Sequence, residues 1–121
     1  MAIAPEPIRV AHLRRITGVL LRFWAVPAPL AQEVVLVVSE LVTNAIEHGR
    51  GTVRLRLSLT GGELLVEVID GNPAPARLRP VAADDEHGRG LFLVACLSRS
   101  WGVSEDGRTT WAFFRIRPGR S

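Results

Sequence analysis

The sequence predicts an α+β protein: a two-layer α/β sandwich whose mixed, mostly antiparallel sheet carries its helices on one face. Three observations lead there. Two long stretches near the start repeat apolar residues every three or four positions, and two alternating stretches follow as adjacent strands. A Gly/Pro-rich stretch then opens into a shorter helix, followed by two more strands. Strands that arrive as hairpins pair with their chain neighbours, which argues against a doubly wound parallel sheet.

Each element has a local reason. Over residues 8–24, Val10, Leu13, Ile16, Leu20 and Trp24 recur at helical steps, while Arg14, Arg15 and Arg22 fall on the other side. Pro27 and Pro29 break this pattern, and Pro29 is placed to open a second helix over residues 30–48, with Gly49 as its stop. Val53, Leu55, Leu57 and Leu59 alternate with Arg54, Arg56 and Ser58, the period of a half-buried strand. Gly61-Gly62 turns the chain into a partner strand over residues 64–69. Residues 71–90 hold three prolines and three glycines and read as a loop; residues 91–98 read as a helix. Strands at 101–103 and 109–117 flank an Asp106-Gly107 turn. One domain over residues 1–121 is expected, with 118–121 a frayed tail.

Composition narrows the function. With 47% hydrophobic and 22% charged residues the 121-residue chain is of ordinary globular type. No uninterrupted apolar run approaches the ~18 residues a membrane span needs. The first residues lack the basic start and apolar block of a secretory signal, so a soluble, cytoplasmic protein without a membrane partner is the expectation. Cys96, the sole cysteine, has no disulfide partner within the chain and no ligand-spaced neighbour for a metal. The net charge is +3, and all 15 Lys+Arg residues are arginine. The absence of lysine excludes a P-loop lysine, the strand lysine of eukaryotic-type protein kinases and Schiff-base chemistry. The arginines are scattered rather than interleaved with aromatics, so no direct nucleic-acid role is expected. His12 and His48 read as surface histidines.

Three places could carry chemistry. On the second helix, Val34, Val35, Val38, Leu41, Val42, Ala45 and Ile46 make a broad core face, with Glu33, Glu40, Asn44, Glu47 and His48 opposite. Glu40 and Asn44 stand one turn apart and point the same way. That face could simply be solvated, but Leu36 and Val37 share it, which suggests that something covers it. Asp70 ends its strand before Gly71, where it is either turn chemistry or a carboxylate offered to a ligand amine at the mouth of the sheet. In His87-Gly88-Arg89-Gly90-Leu91 two glycines at a helix start leave backbone N–H groups open for a phosphate, or merely allow a tight entry. A dinucleotide fold would need a preceding parallel strand and a third glycine, and has neither.

Taken in order, these features resemble the GHKL ATP-binding family, and more narrowly the bacterial anti-sigma factor serine/threonine kinases. Val38-Ser39-Glu40-Leu41-Val42-Thr43-Asn44-Ala45 is similar to that family's first box, and Gly88-Arg89-Gly90-Leu91-Phe92-Leu93-Val94 to its glycine box. The likeness spans nearly the whole chain and implies the Bergerat-type fold. It also implies ATP and Mg²⁺ as cofactors, with Asn44 the metal ligand and Glu40 the general base facing the γ-phosphate. Asp70 would read adenine, with Thr109 or Thr110 near it. Gly88, Arg89, Gly90 and Leu91 would form the phosphate turn, and residues 71–87 the lid. Where the wider family often shows Asp-x-Gly-x-Gly, this chain has Asn72 after Asp70-Gly71, and Asn tolerates the left-handed conformation that glycine would adopt. The implied partners are a sigma factor and an anti-sigma factor antagonist, with a homodimer through the first helix a further expectation. An ATP-gated switch that binds without transferring phosphate is the competing reading, and water as acceptor a third. A full histidine kinase lacks room for its phosphoacceptor helices.

Overall fold

The computed structural model describes residues 1–4, 6, 8–48, 51–70 and 86–116, leaving aside the side chains of residues 48 and 86–89. A two-residue strand, β1 (Ala2–Ile3), precedes helices α1 (Ile8–Phe23) and α2 (Ala28–His48). Leu13, Thr17 and Leu21, one turn apart, are the buried residues of α1. Its end is a two-bond C-cap: Val26 N–H donates to Leu21 O at 2.9 Å and Ala25 N–H to Arg22 O at 3.0 Å. That geometry needs a left-handed residue, and Ala25 supplies it at φ 58°. Pro29 stands in the first turn of α2, where its missing N–H leaves no bond unmade.

Strands β2 (Val53–Thr60) and β3 (Glu63–Ile69) pair from Thr60↔Glu63 to Arg54↔Ile69. Between them Gly61 (φ 55°) and Gly62 (φ 80°) both take the left-handed conformation that a two-residue hairpin turn of matching twist requires. Helix α3 (Glu86–Leu97) leads into β4 (Ser100–Val103) and β5 (Thr109–Arg115). The strand order is β1-β2-β3-β5-β4. Every pairing is antiparallel among the described residues, so the sheet expected to be mixed is antiparallel throughout them.

One face of the sheet is apolar and enclosed. Val53 and Leu55 of β2, Leu64, Val66 and Val68 of β3, and Ala112 and Phe114 of β5 are buried there with Val34, Val37, Val38, Leu41 and Val42 of α2. The alternation of each strand puts Arg56, Glu67 and Trp111 on the other face. Helix α2 packs against both α1 and α3 as well as β2 and β3. By length and composition alone α2 could cross a membrane, with mean hydropathy 1.3 over Ala28–Glu47; Glu33 and Glu40 interrupt the run that a sequence scan seeks. Here its apolar side chains meet the sheet.

Two elements depart from expectation. Strand β1 was not foreseen; it exists through backbone bonds, with the Met1 amine donating to Leu55 O at 2.6 Å and Leu55 N–H to Met1 O at 2.8 Å. Helix α3 begins at Glu86 rather than Leu91, so Gly88 and Gly90 lie inside a helix and not in a loop. Tertiary contact outweighs the low helix propensity of glycine there. The expected frayed tail at 118–121 lies outside the described residues.

Candidate functional site

The face of α2 that carries Glu40 and Asn44 is covered, as Leu36 and Val37 suggested. Val37 is fully buried, and Leu36, Glu40 and Asn44 are each partly buried. The cover over Glu40 is α3. A Cβ placed on Gly90 would stand 2.8 Å from Glu40 Oε2 and 3.8 Å from its Cδ, so the carboxylate lies against bare backbone. Gly90 is buried, and its lack of a side chain leaves the space that the Glu40 carboxylate occupies against α3. The two sequence boxes, fifty residues apart, therefore meet at one contact.

The start of α3 sets its open donors. The first four N–H groups of a helix have no intrahelical acceptor, so those of α3 lie in its first turn, ahead of Gly90 and Leu91. Gly88 and Arg89 belong to this turn. Leu91 is partly buried and packs on the core.

At the sheet end, Asp70 continues the β3 ladder, its N–H donating to Arg108 O at 2.9 Å. Alternation puts Val68 (2% exposed) and Asp70 on the helix-covered face. Thr110 is opposite Val68 and shares that face; Thr109 is opposite Ile69 and faces away. Of the two threonines, Thr110 is thus the diagonal neighbour of Asp70. Asn72 and most of the expected lid, residues 71–85, lie outside the described residues.

The expected Asp106-Gly107 turn positions these threonines, through side-chain hydrogen bonds that motif reading did not foresee. Ser104 Oγ donates to Asp106 Oδ1 at 2.6 Å, Arg108 N–H donates to the same oxygen at 3.0 Å, and Thr109 N–H donates to Ser104 Oγ at 3.1 Å. Gly107, at φ 73°, closes the turn with its N–H on Ser104 O at 2.9 Å. The Ser104 hydroxyl, then the Arg108 N–H, hold the Asp106 carboxyl below the usual carboxylate range. The Ser-x-Asp-Gly spacing was the available signal.

Among the described residues, no three of His, Cys, Asp and Glu gather to hold a metal. Cys96 is exposed on α3. The partly buried amide of Asn44, one turn from Glu40, is the uncharged oxygen donor of this face. What the arrangement offers is a carboxylate and an amide on one helix, a glycine-spaced helix start over the carboxylate, and an acid beside a hydroxyl at the sheet end.

No curated protein matches the chain. The profile of the histidine kinase-like ATPase domain matches residues 3–114, an interval containing Glu40, Asn44, Asp70, Gly90 and Thr110. The chain therefore belongs to the histidine kinase-like ATPase domain family, whose members bind ATP.

Proposed function

We propose that this protein is an anti-sigma factor serine/threonine kinase, which transfers the ATP γ-phosphate to a serine of an anti-sigma factor antagonist and sequesters a sigma factor. The observation that carries the reading is the Glu40 carboxylate set against Gly90, with the Asn44 amide one turn away. The residues present suit a nucleotide with its metal. Asn44 would hold Mg²⁺ through its amide oxygen; Asp70, with Thr110 its diagonal neighbour, would take the adenine amino group. The first turn of α3, with Gly88 and Arg89, would meet the phosphates. Since the chain has no lysine, its balancing positive charge comes from arginine and from backbone N–H groups.

Bound Mg·ATP supplies an electrophilic phosphorus and charge neutralisation. Glu40 takes the proton of the acceptor serine as that oxygen bonds to the γ-phosphorus; the bond to the β,γ-bridging oxygen breaks and ADP leaves. The test is mass spectrometry of the antagonist after incubation with Mg·ATP and either wild type or Glu40→Gln. Phosphoserine with wild type and none with Glu40→Gln, at equal ATP affinity, supports the reading. ATP bound with neither phosphoprotein nor free phosphate replaces it with the ATP-gated switch, and free phosphate alone makes water the acceptor. Unaltered phosphorylation by Glu40→Gln removes Glu40 from the role.

A further inference from the structure

Strand β2 is longer than the strand that covers its outer edge. Strand β1 pairs at Ala2↔Arg54 and Ile3↔Val53, and Met1 bonds Leu55 in both directions; among the described residues this cover reaches Leu55, while β2 continues to Thr60. In an antiparallel ladder the outward-facing residues alternate. Since Leu55 directs its N–H and C=O toward β1, Leu57 and Leu59 direct theirs the same way. Among the described residues no strand receives them.

A cavity of about 330 Å³ lies between this edge and α1, with Leu13, Ile16, Leu20, Trp24 and Leu57 among its walls and Arg54 and Arg56 also lining it. That volume is at the lower end of the range for ligand pockets, roughly 300–1,000 Å³. Apolar surface continues outside it: Val19 and Phe23, one turn from Ile16 and Leu20, are 60% and 82% exposed. The flanking charge has one sign. Helix α1 carries Arg9, Arg14, Arg15 and Arg22 and no acidic residue, and β2 carries Arg54 and Arg56 and none either. Among the described residues two carboxylates reach these arginines from elsewhere: Glu6 at 3.5 Å from Arg9, an exposed and weak pair, and Glu67, itself half-buried, at 3.8 Å from the exposed Arg56.

We propose that this edge and cavity form a docking groove for an extended, acidic segment of a protein partner, which adds to the sheet as a strand beside Leu57 and Leu59. Backbone bonds to those two residues provide the attachment and the alternate side chains the specificity. Residues opposite Leu57 and Leu59 point to the helix side and fill the cavity; those opposite Arg56 and Ser58 point to the other face, beside Arg54 and Arg56. The segment recognised therefore alternates apolar and acidic residues. A second copy pairing edge to edge would set arginine-bearing strands against each other, and like charges across a ladder repel. The groove does not involve Glu40, Asn44 or Asp70, and the inference stands apart from the kinase reading.

The test uses the whole chain with a capped hexapeptide alternating Leu and Glu, and a Leu/Lys peptide as its counterpart, followed by amide hydrogen exchange and fluorescence anisotropy. The Leu/Glu peptide is expected to bind and to slow exchange at Leu57 and Leu59, while the Leu/Lys peptide does neither. Arg54→Glu with Arg56→Glu, both exposed positions, is expected to weaken the Leu/Glu peptide by about tenfold or more and to admit the Leu/Lys peptide. Binding that leaves Leu57 and Leu59 unprotected, or that ignores the charge reversal, overturns the proposal. So does protection in the free chain that rises with protein concentration, which would make the occupant a second copy.

Discussion

Replacing Gly90 by Ala separates folding from chemistry. The new methyl would stand 2.8 Å from Glu40 Oε2, and ordinary contact begins at 3.4 Å, so the carboxylate must retreat by at least 0.6 Å. That oxygen is at the far end of a flexible side chain, and among the described residues no hydrogen bond or ion pair holds it, so moving it costs little. Meanwhile Gly90 lies within α3 at ordinary helical φ, where Ala is favoured over Gly by about 1 kcal/mol. The variant should thus be as stable as wild type or more so, by up to about 1 kcal/mol. With Glu40 in its proposed role as general base, catalysis should move the other way. A misplacement of about 1 Å in a catalytic group costs on the order of a hundredfold, so a retreat of at least 0.6 Å predicts a fall in kcat of roughly tenfold to a hundredfold. Thermal denaturation and phosphate transfer measured on the same preparation decide it. Unchanged turnover in a variant of unchanged or higher Tm would refute the claim that this contact sets the Glu40 carboxylate. A drop of more than about 2 kcal/mol in stability would refute the claim that the carboxylate is free to move.

Other consequences follow from single groups. Thr17 is 1% exposed and its Oγ1 has no hydrogen-bond partner among the described residues; a buried unmet hydroxyl costs about 1–3 kcal/mol, so Thr17→Val should raise the denaturation midpoint, and a lowered one would mean that the hydroxyl is satisfied. Ala25 bears the left-handed strain of the α1 C-cap, which costs an L-residue roughly 1–2 kcal/mol against the roughly 0.5–1 kcal/mol of extra chain entropy that glycine loses. Ala25→Gly should therefore be stabilising by up to about 1 kcal/mol in urea unfolding. Asp106 is held below its ordinary pKa by Ser104 and Arg108. Its contribution to stability is then complete above its unfolded value, near pH 4, and is lost as pH falls through the lower folded value. Carbon-detected NMR titration of its carboxyl should show a midpoint below that of an unstructured Asp, and Ser104→Ala should move the midpoint up.

The β2–β3 hairpin was legible to within a residue at each end, because period-2 alternation and two adjacent glycines are local signals that need no tertiary information. The Glu40/Asn44 face was legible for the same reason, as was the hint from Leu36 and Val37 that it would be covered. What local signals do not contain is partnership across the chain. Strand β1 is two residues long, too short to show a period, and is made by the backbone of Met1 and Leu55, to which side chains contribute nothing readable. The choice between Thr109 and Thr110 required the β3–β5 register, since a shift of one residue exchanges the faces.

The glycines of α3 show how one residue type can carry two opposed readings. By propensity, Gly88 and Gly90 marked a loop, and the helix was expected to begin after them. In the folded chain Gly90 is helical, and what marks the position is a neighbour: the Glu40 carboxylate rests in the space that a Cβ would take. Helix propensity penalises glycine by about 1 kcal/mol, whereas lifting α3 away from the core would uncover its own Val94, which is fully buried and whose burial is worth about 1.5–3 kcal/mol. Burial outweighs propensity, and the helix extends back over its glycines until Gly90 meets the carboxylate. A glycine placed for close approach rather than for a turn is visible only when both helices are in view, which is why the contact joining the two boxes had to come from the fold.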